Sequence, residues 1–232
     1  MALILNLETA TKVCSVALCK DGEVIAIKEH HGEYAHAEKL TVFVLDLLNQ
    51  TNLSFKQLDA VAVSSGPGSY TGLRIGVSAA KGFSYALDIP LIGIETLQQM
   101  ALFASLNHKN KTPDNALFFP MIDARRMEVY CAVYDMENNL IEKTQAKIID
   151  ADSFQDLLHT NTVYFFGDGA FKCKEILGSH PNAVFLDAVF PSAAAMASLS
   201  EKSFVNKDFQ DTAYFEPYYL KDFISTIPKK KF

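Results

Sequence analysis

Two successive stretches of this chain carry the same order of hydrophobic periodicities. In the first, ALILNL (2–7), VCSVALCK (13–20) and EVIAIKEH (23–30) read as strands, with Asp21-Gly22 as the hairpin turn between the last two. Residues 35–49 then switch to helical spacing, with Leu40, Val44, Leu47 and Leu48 on one face. Ser54 caps a short helix, SFKQL. AVAV (60–63) is a buried strand, Ser69–Leu87 a helix, and Pro90 leads into the strand LIGI (91–94), after which Thr96 caps another helix. A polar stretch, NHKNKTPDN (107–115), separates this half from the next and predicts a linker. The second half repeats the order. FFPMID (118–123), EVYCAVYD (128–135) and LIEKTQAKII (140–149) are strands, the last two joined by a turn at Glu137-Asn138-Asn139. A helix capped by Ser153 follows, then the strand VYFFG (163–167) and a helix opened by Gly167-Asp168-Gly169 that runs to Leu177. The strand AVFL (183–186) and a helix from 192 complete it.

A chain of duplicated βββαβα units belongs to the α/β class. Few α/β folds begin each half with a three-strand meander, and the order predicts the two-lobed actin-like ATPase architecture (ASKHA, ribonuclease-H-like). The expected lobes are 1–106 and 107–215, with 216–232 returning to the first.

Composition narrows the function classes. The chain has 232 residues, 49% of them hydrophobic, which is enough for a well-buried core. Its formal net charge is -6, a poor basis for binding nucleic acid alone, because phosphate neutralisation dominates that affinity. The one basic cluster, Lys229-Lys230-Lys231, reads as a solvated tail. Cys14, Cys19, Cys131 and Cys173 form no CxxC pair and read as buried, reduced thiols of a cytoplasmic protein. The opening MALILNLETA lacks a basic leader and reads as a core strand, and no apolar run is long enough to span a bilayer.

The segment SSGPGSYTGLRIG (64–76) leads a strand into a helix. Pro67 fixes its own φ and biases Ser65 toward extended geometry, and Gly66 and Gly68 permit turns closed to other residues. Ser69 is a natural N-cap. The free amides behind it could hold an anion, but the Walker pattern and its lysine are missing. Within the helix Gly72, Gly76 and Ala80 recur every fourth residue. Each helical glycine costs about 1 kcal/mol against alanine, so a packing reason is expected. Two are open: packing inside the lobe, or a flat face for a partner, with Tyr70, Arg74 and Lys81 at its rim.

SSGPGSYTGLRIGVSAAKG closely resembles the signature of the bacterial TsaB/YeaZ family of tRNA threonylcarbamoyladenosine biosynthesis. LNLETATKVCSVAL (5–18), IGIETLQQMA (92–101), MIDARRMEVYCAVYD (121–135) and FEPYYLKD (215–222) fall in the family's order, so the resemblance spans essentially the whole chain. It implies a catalytically silent paralogue of TsaD that pairs with TsaD through helices of its first lobe, joined by the ATPase TsaE. The assembled complex moves threonylcarbamoyl from an adenylate onto the adenosine next to the anticodon of tRNAs reading ANN codons, and tRNA is met only through the complex. Alone, such proteins form homodimers through the same helices. The surface implied here comprises His36, Lys39, Leu40, Phe43 and Leu47 of the first helix with Tyr70, Gly72, Arg74, Gly76, Val77 and Lys81 of the second. No cofactor of its own is expected, and the partner junction is the place left for ATP or ADP.

The residues agree with a silent member. Catalytic relatives carry HxxxH after the strand that follows the glycine loop. Here that stretch is Glu95-Thr96-Leu97-Gln98-Gln99-Met100, without a histidine pair one helical turn apart to hold a metal. His30, His31 and His36 lack that spacing, and His108, His159 and His180 fall in polar loops or at helix ends. Actin-like ATPases place Asp in the first strand-turn, and this chain has Glu8-Thr9-Ala10-Thr11 with no glycine. Glu8, Thr9, Thr11, Gly66, Gly68 and Ser69 are therefore the residues of a candidate nucleotide or anion loop ill suited to hydrolysis. Asp123, Arg125, Arg126 and Glu128 form a charged knot, read either as acid/base machinery or as an ion-paired network at the cleft. An independent enzyme of this fold, a metallopeptidase or an ATP-dependent kinase, is the competing reading. It lacks metal ligands and a glycine-bearing first loop.

Overall fold

The computed structural model describes residues 2–32, 35–108 and 112–221. Two five-stranded mixed sheets share one connectivity. In the first, β1 (Leu3–Glu8), β2 (Val13–Lys20) and β3 (Glu23–His31) form the antiparallel meander. β4 (Ala60–Gly66) and β5 (Leu91–Glu95) add in parallel on the other side of β1, giving the order β3-β2-β1-β4-β5. The second sheet repeats this with β6 (Ala116–Asp123), β7 (Glu128–Tyr134), β8 (Leu140–Ile148), β9 (Thr162–Phe166) and β10 (Ala183–Phe185), in the order β10-β9-β6-β7-β8. The Asp21-Gly22 turn forms as predicted, both residues at positive φ (53° and 80°).

Alternation along β1 sends Leu3, Leu5 and Leu7 to one face of the sheet. There they pack with Leu40, Val44, Leu47 and Leu48 of α1 (His36–Thr51) and with Val77 and Ala80 of α2 (Tyr70–Leu87). The opposite face, with Ile4, Ala60, Ala62, Ile92 and Ile94, takes Met196 and then Leu199 and Phe204 of α6 (Ala197–Asn206). In the second sheet α4 (Gln155–Thr160) and α5 (Ala170–Leu177) cover one face, while the other packs Leu97, Met100, Ala101 and Ala104 of α3 (Thr96–His108). Each half thus sends its last helix onto the sheet of the other.

That exchange corrects the expected boundary. The chain returns to the first sheet near Ser192, not at 216. The Ala193 amide donates to Ser15 Oγ at 3.0 Å, and Ala193 and Ala197 are buried against Ala17 and Cys19. Asn107 and His108, expected in a linker, are helical, and 109–111 lie outside the described residues, as does the lysine cluster at 229–231. Ser153 does not cap α4. Its hydroxyl turns back to Asp150, and the cap position is Phe154 in the left-handed region (φ 64°). The four cysteines are buried and free. Among the described residues no helix is long and apolar enough to cross a membrane.

Candidate functional site

The turn after β1 and the loop before α2 close on each other. Glu8 ends β1 fully buried. Its Oε1 accepts from the Ala10 amide (2.5 Å) and the Ser64 hydroxyl (3.0 Å), and its Oε2 accepts from Gln99 Nε2 of α3. A carboxylate that positions metal and water must face a cleft, whereas this one is tied to β4 and α3. Burial outweighs these hydrogen bonds and pushes its pKa up to about 7. Thr9, also buried, donates from Oγ1 to the Gly72 carbonyl at 2.8 Å. The Ser69 amide donates to the Ala10 carbonyl at 2.6 Å, and the Gly72 amide to the capping Ser69 Oγ at 3.2 Å. Two amides that would face an anion at this helix start are therefore spent inside the chain. Side chains at Gly68, Gly72 and Gly76 would overlap Ala10 and Thr9. Of the residues expected in an anion loop, Glu8 and Thr9 are turned into contacts of the chain itself, while Thr11, Gly68 and Ser69 line an open cleft. Gly66 sits at φ 113° beside the Tyr218 carbonyl, 2.7 Å from where its Cβ would stand.

The same contacts correct the reading of the α2 glycines. Their flat face packs on Thr9 within the lobe and is not available to a partner. Gly72, Gly76 and Val77 are buried, and so are His36, Leu40 and Leu47 of α1. His36 anchors the start of α1 by a 2.8 Å hydrogen bond between Nε2 and the Thr11 carbonyl, and burial lowers its pKa. Lys39 and Phe43 are half-buried, Phe43 against the core. Tyr70, Arg74 and Lys81 hold the chain's own C-terminal strap, residues 208–221. Lys81 Nζ donates to the Ala213 and Phe215 carbonyls, both at 3.1 Å. Arg74 lies 4.1 Å from the Tyr70 ring centre and donates from Nε to Tyr219 Oη at 3.3 Å, and the two tyrosine rings are 4.8 Å apart.

Of the face left open on these helices, only Arg74 was singled out from the sequence. Thr71, Arg74, Ser78, Gly82, Tyr85 and Ala86 are exposed along α2, Tyr85 at 85%, and Val42 and Leu45 on the adjacent α1 at 50% each. A Cβ on Gly82 would meet nothing within 4 Å. The signal was present: Ser78, Gly82 and Ala86 repeat small residues at the same four-residue spacing as Gly72, Gly76 and Ala80.

Between the sheets lies a cleft of about 550 Å³, lined by Thr11, Lys12, Tyr70, Arg125, Tyr130 and Asp168 among others. The charged knot resolves into lysine pairs. Asp123 pairs with Lys172, Lys172 Nζ also donates to the Glu128 carbonyl at 2.6 Å, and Glu128 pairs with Lys221. Arg125 and Arg126 shape the β6–β7 turn with φ of 73° and 51°. Asp168, raised by burial, accepts from the Asp123 amide at 2.9 Å. Among the described residues no three His, Cys, Asp or Glu side chains are grouped to hold a metal.

Duplicated sheets with exchanged helices and a cleft between them define the actin-like ATPase class. The activator of the 2-hydroxyisocaproyl-CoA dehydratase from Clostridium difficile shares the fold at a TM-score of 0.50 with 11% identity, over 90% of this chain and 98% of that one. YeaZ from Pseudomonas aeruginosa superposes at a TM-score of 0.78 with 25% identity, over 95% of this chain and 100% of that one. The "tRNA threonylcarbamoyladenosine biosynthesis protein TsaB" of Escherichia coli K12 is 31% identical over 94% of both chains. The family model "TsaD: tRNA N6-adenosine threonylcarbamoyltransferase" matches residues 30–215. The chain belongs to the TsaB/YeaZ family, within that wider TsaD group.

Proposed function

We propose that this chain is a non-catalytic subunit of the machinery that forms threonylcarbamoyladenosine in tRNA. It binds and activates a TsaD-like catalytic subunit, with a TsaE-like ATPase as third component, and meets tRNA only through the assembled complex. One observation carries the reading. Glu8, at the position whose carboxylate would handle metal and water, is turned into the core and bonded to Ala10, Ser64 and Gln99, which supports a chain without the phosphate-loop hydrolysis of its fold class. ATP or ADP in the assembly then belongs at the partner junction.

The docking surface in this reading is the open face of α1 and α2, centred on Gly82 and flanked by Tyr85, Val42 and Leu45. Exposed aromatic and aliphatic side chains around a small-residue notch suit close helix packing. The same face serves a homodimer when the partner is absent. The test is threonylcarbamoyl transfer to tRNA by the TsaD-like protein and the ATPase, with and without this chain. Activity that requires the chain supports the reading. Equal activity without it refutes the reading and returns the independent enzyme.

A further inference from the structure

The C-terminal strap does more than cover α2. It is fastened to the first sheet along its length. The Gln210 amide donates to the Leu91 carbonyl at 2.8 Å, Thr212 and Ser84 share a 3.2 Å hydroxyl contact, Phe215 packs over Gly93, and the Tyr218 amide donates to the Ser65 carbonyl at 2.7 Å. Tyr219 then stacks on Tyr70 and accepts from Arg74. Two residues later Lys221 pairs with Glu128, which begins β7 of the other sheet. The strap therefore crosses the cleft, and Tyr218 to Lys221 line it.

The receiving side is built to hold still. Lys172 ties Asp123 to the Glu128 carbonyl and so closes the β6–β7 hairpin across its turn. That fixes the backbone from which Glu128 presents its carboxylate. The Glu128 side chain is 20% exposed and that of Lys221 40%, so the pair is partly shielded from solvent.

We propose that residues 208–221 are an interlobe latch, with the Lys221–Glu128 pair as its releasable catch and the Tyr70–Tyr219–Arg74 stack as its fixed end. Because Tyr218 to Lys221 line the 550 Å³ cleft, opening the catch would widen it on this side. The inference stands on these contacts and does not depend on the role in tRNA modification.

Hydrogen exchange on the full-length chain tests it. Lys221→Met keeps the side-chain stem and Glu128→Gln the side-chain shape, so each removes the charge pair with little change in packing, and circular dichroism checks that each variant is folded. Each is expected to speed exchange of the Tyr218 amide and of the 123–130 hairpin together by about three- to fivefold, the scale of a good surface pair. The double variant should go no further than either single one. Unchanged exchange in either single variant overturns the latch. So does a change confined to the strap, or a double effect equal to the product of the single ones.

Discussion

Glu8 and Gly76 show what a residue's position in this fold asks of it. Buried Glu8 titrates near 7, raised from 4.5 mainly by desolvation. The folded chain keeps that proton where the unfolded chain gives it up. Its contribution to stability is therefore fully present below about pH 4.5 and lost as pH rises through about 7, at most ~3 kcal/mol in all. Glu8→Gln should flatten this part of the pH profile. The neutral amide needs no solvation as a charge, and the Gln99 amide can turn so that its Oε1, unpartnered in the wild type, accepts from it. Urea midpoints measured from pH 5 to 8 check this, and parallel profiles for the two proteins would refute it. At Gly76 a methyl group meets the Thr9 hydroxyl. Gly76→Ala should destabilise the lobe by about 1–3 kcal/mol through overpacking, despite alanine's better helix propensity, as read in the same denaturant titration. A more stable variant would contradict the close approach.

At the scale of elements, α2 carries two small-residue stripes with opposite uses. The buried one admits the Thr9-Ala10 turn, and the open one leaves room beside Gly82. The sequence shows that glycines at a four-residue spacing share a face, but spacing does not say what covers that face. Thr9 is more than sixty residues away in the chain, and the strap that engages Tyr70, Arg74 and Lys81 is still further. Those long-range partners are why the rim residues read as an interface from sequence and prove to be fastenings in the structure. The elements themselves were legible. The periodicities place the strands and α1 to α3 within a few residues, and Ser69 caps α2 as predicted. On the docking reading, Gly82→Arg should leave the circular dichroism of the isolated chain that of a folded protein, as an open surface site allows. It should weaken binding to the TsaD-like subunit by at least about tenfold in calorimetry. Wild-type affinity would remove this face from the interface.

For the whole molecule, the repeated element order made the two-sheet architecture readable, because connectivity of this kind has few compact solutions. The exchange of α3 and α6 between sheets was not readable. Both helices carry apolar residues that would satisfy either sheet, and only the packed structure assigns them. The site divided in the same way. The lack of a metal pair and the odd Glu8 were visible as residue types, while the inward turn of the Glu8 carboxylate needed coordinates. On the proposed function, this chain acts through a surface and not through its phosphate loop. The measurement that tests it most directly is the initial rate of threonylcarbamoyl transfer in the reconstituted system, with wild type, Glu8→Gln and Gly82→Arg each supplied at a limiting concentration. Wild-type rates are expected with Glu8→Gln, and with Gly82→Arg a loss that is recovered at high concentration. A folded Glu8→Gln protein that abolishes transfer, with Gly82→Arg fully active, would contradict it.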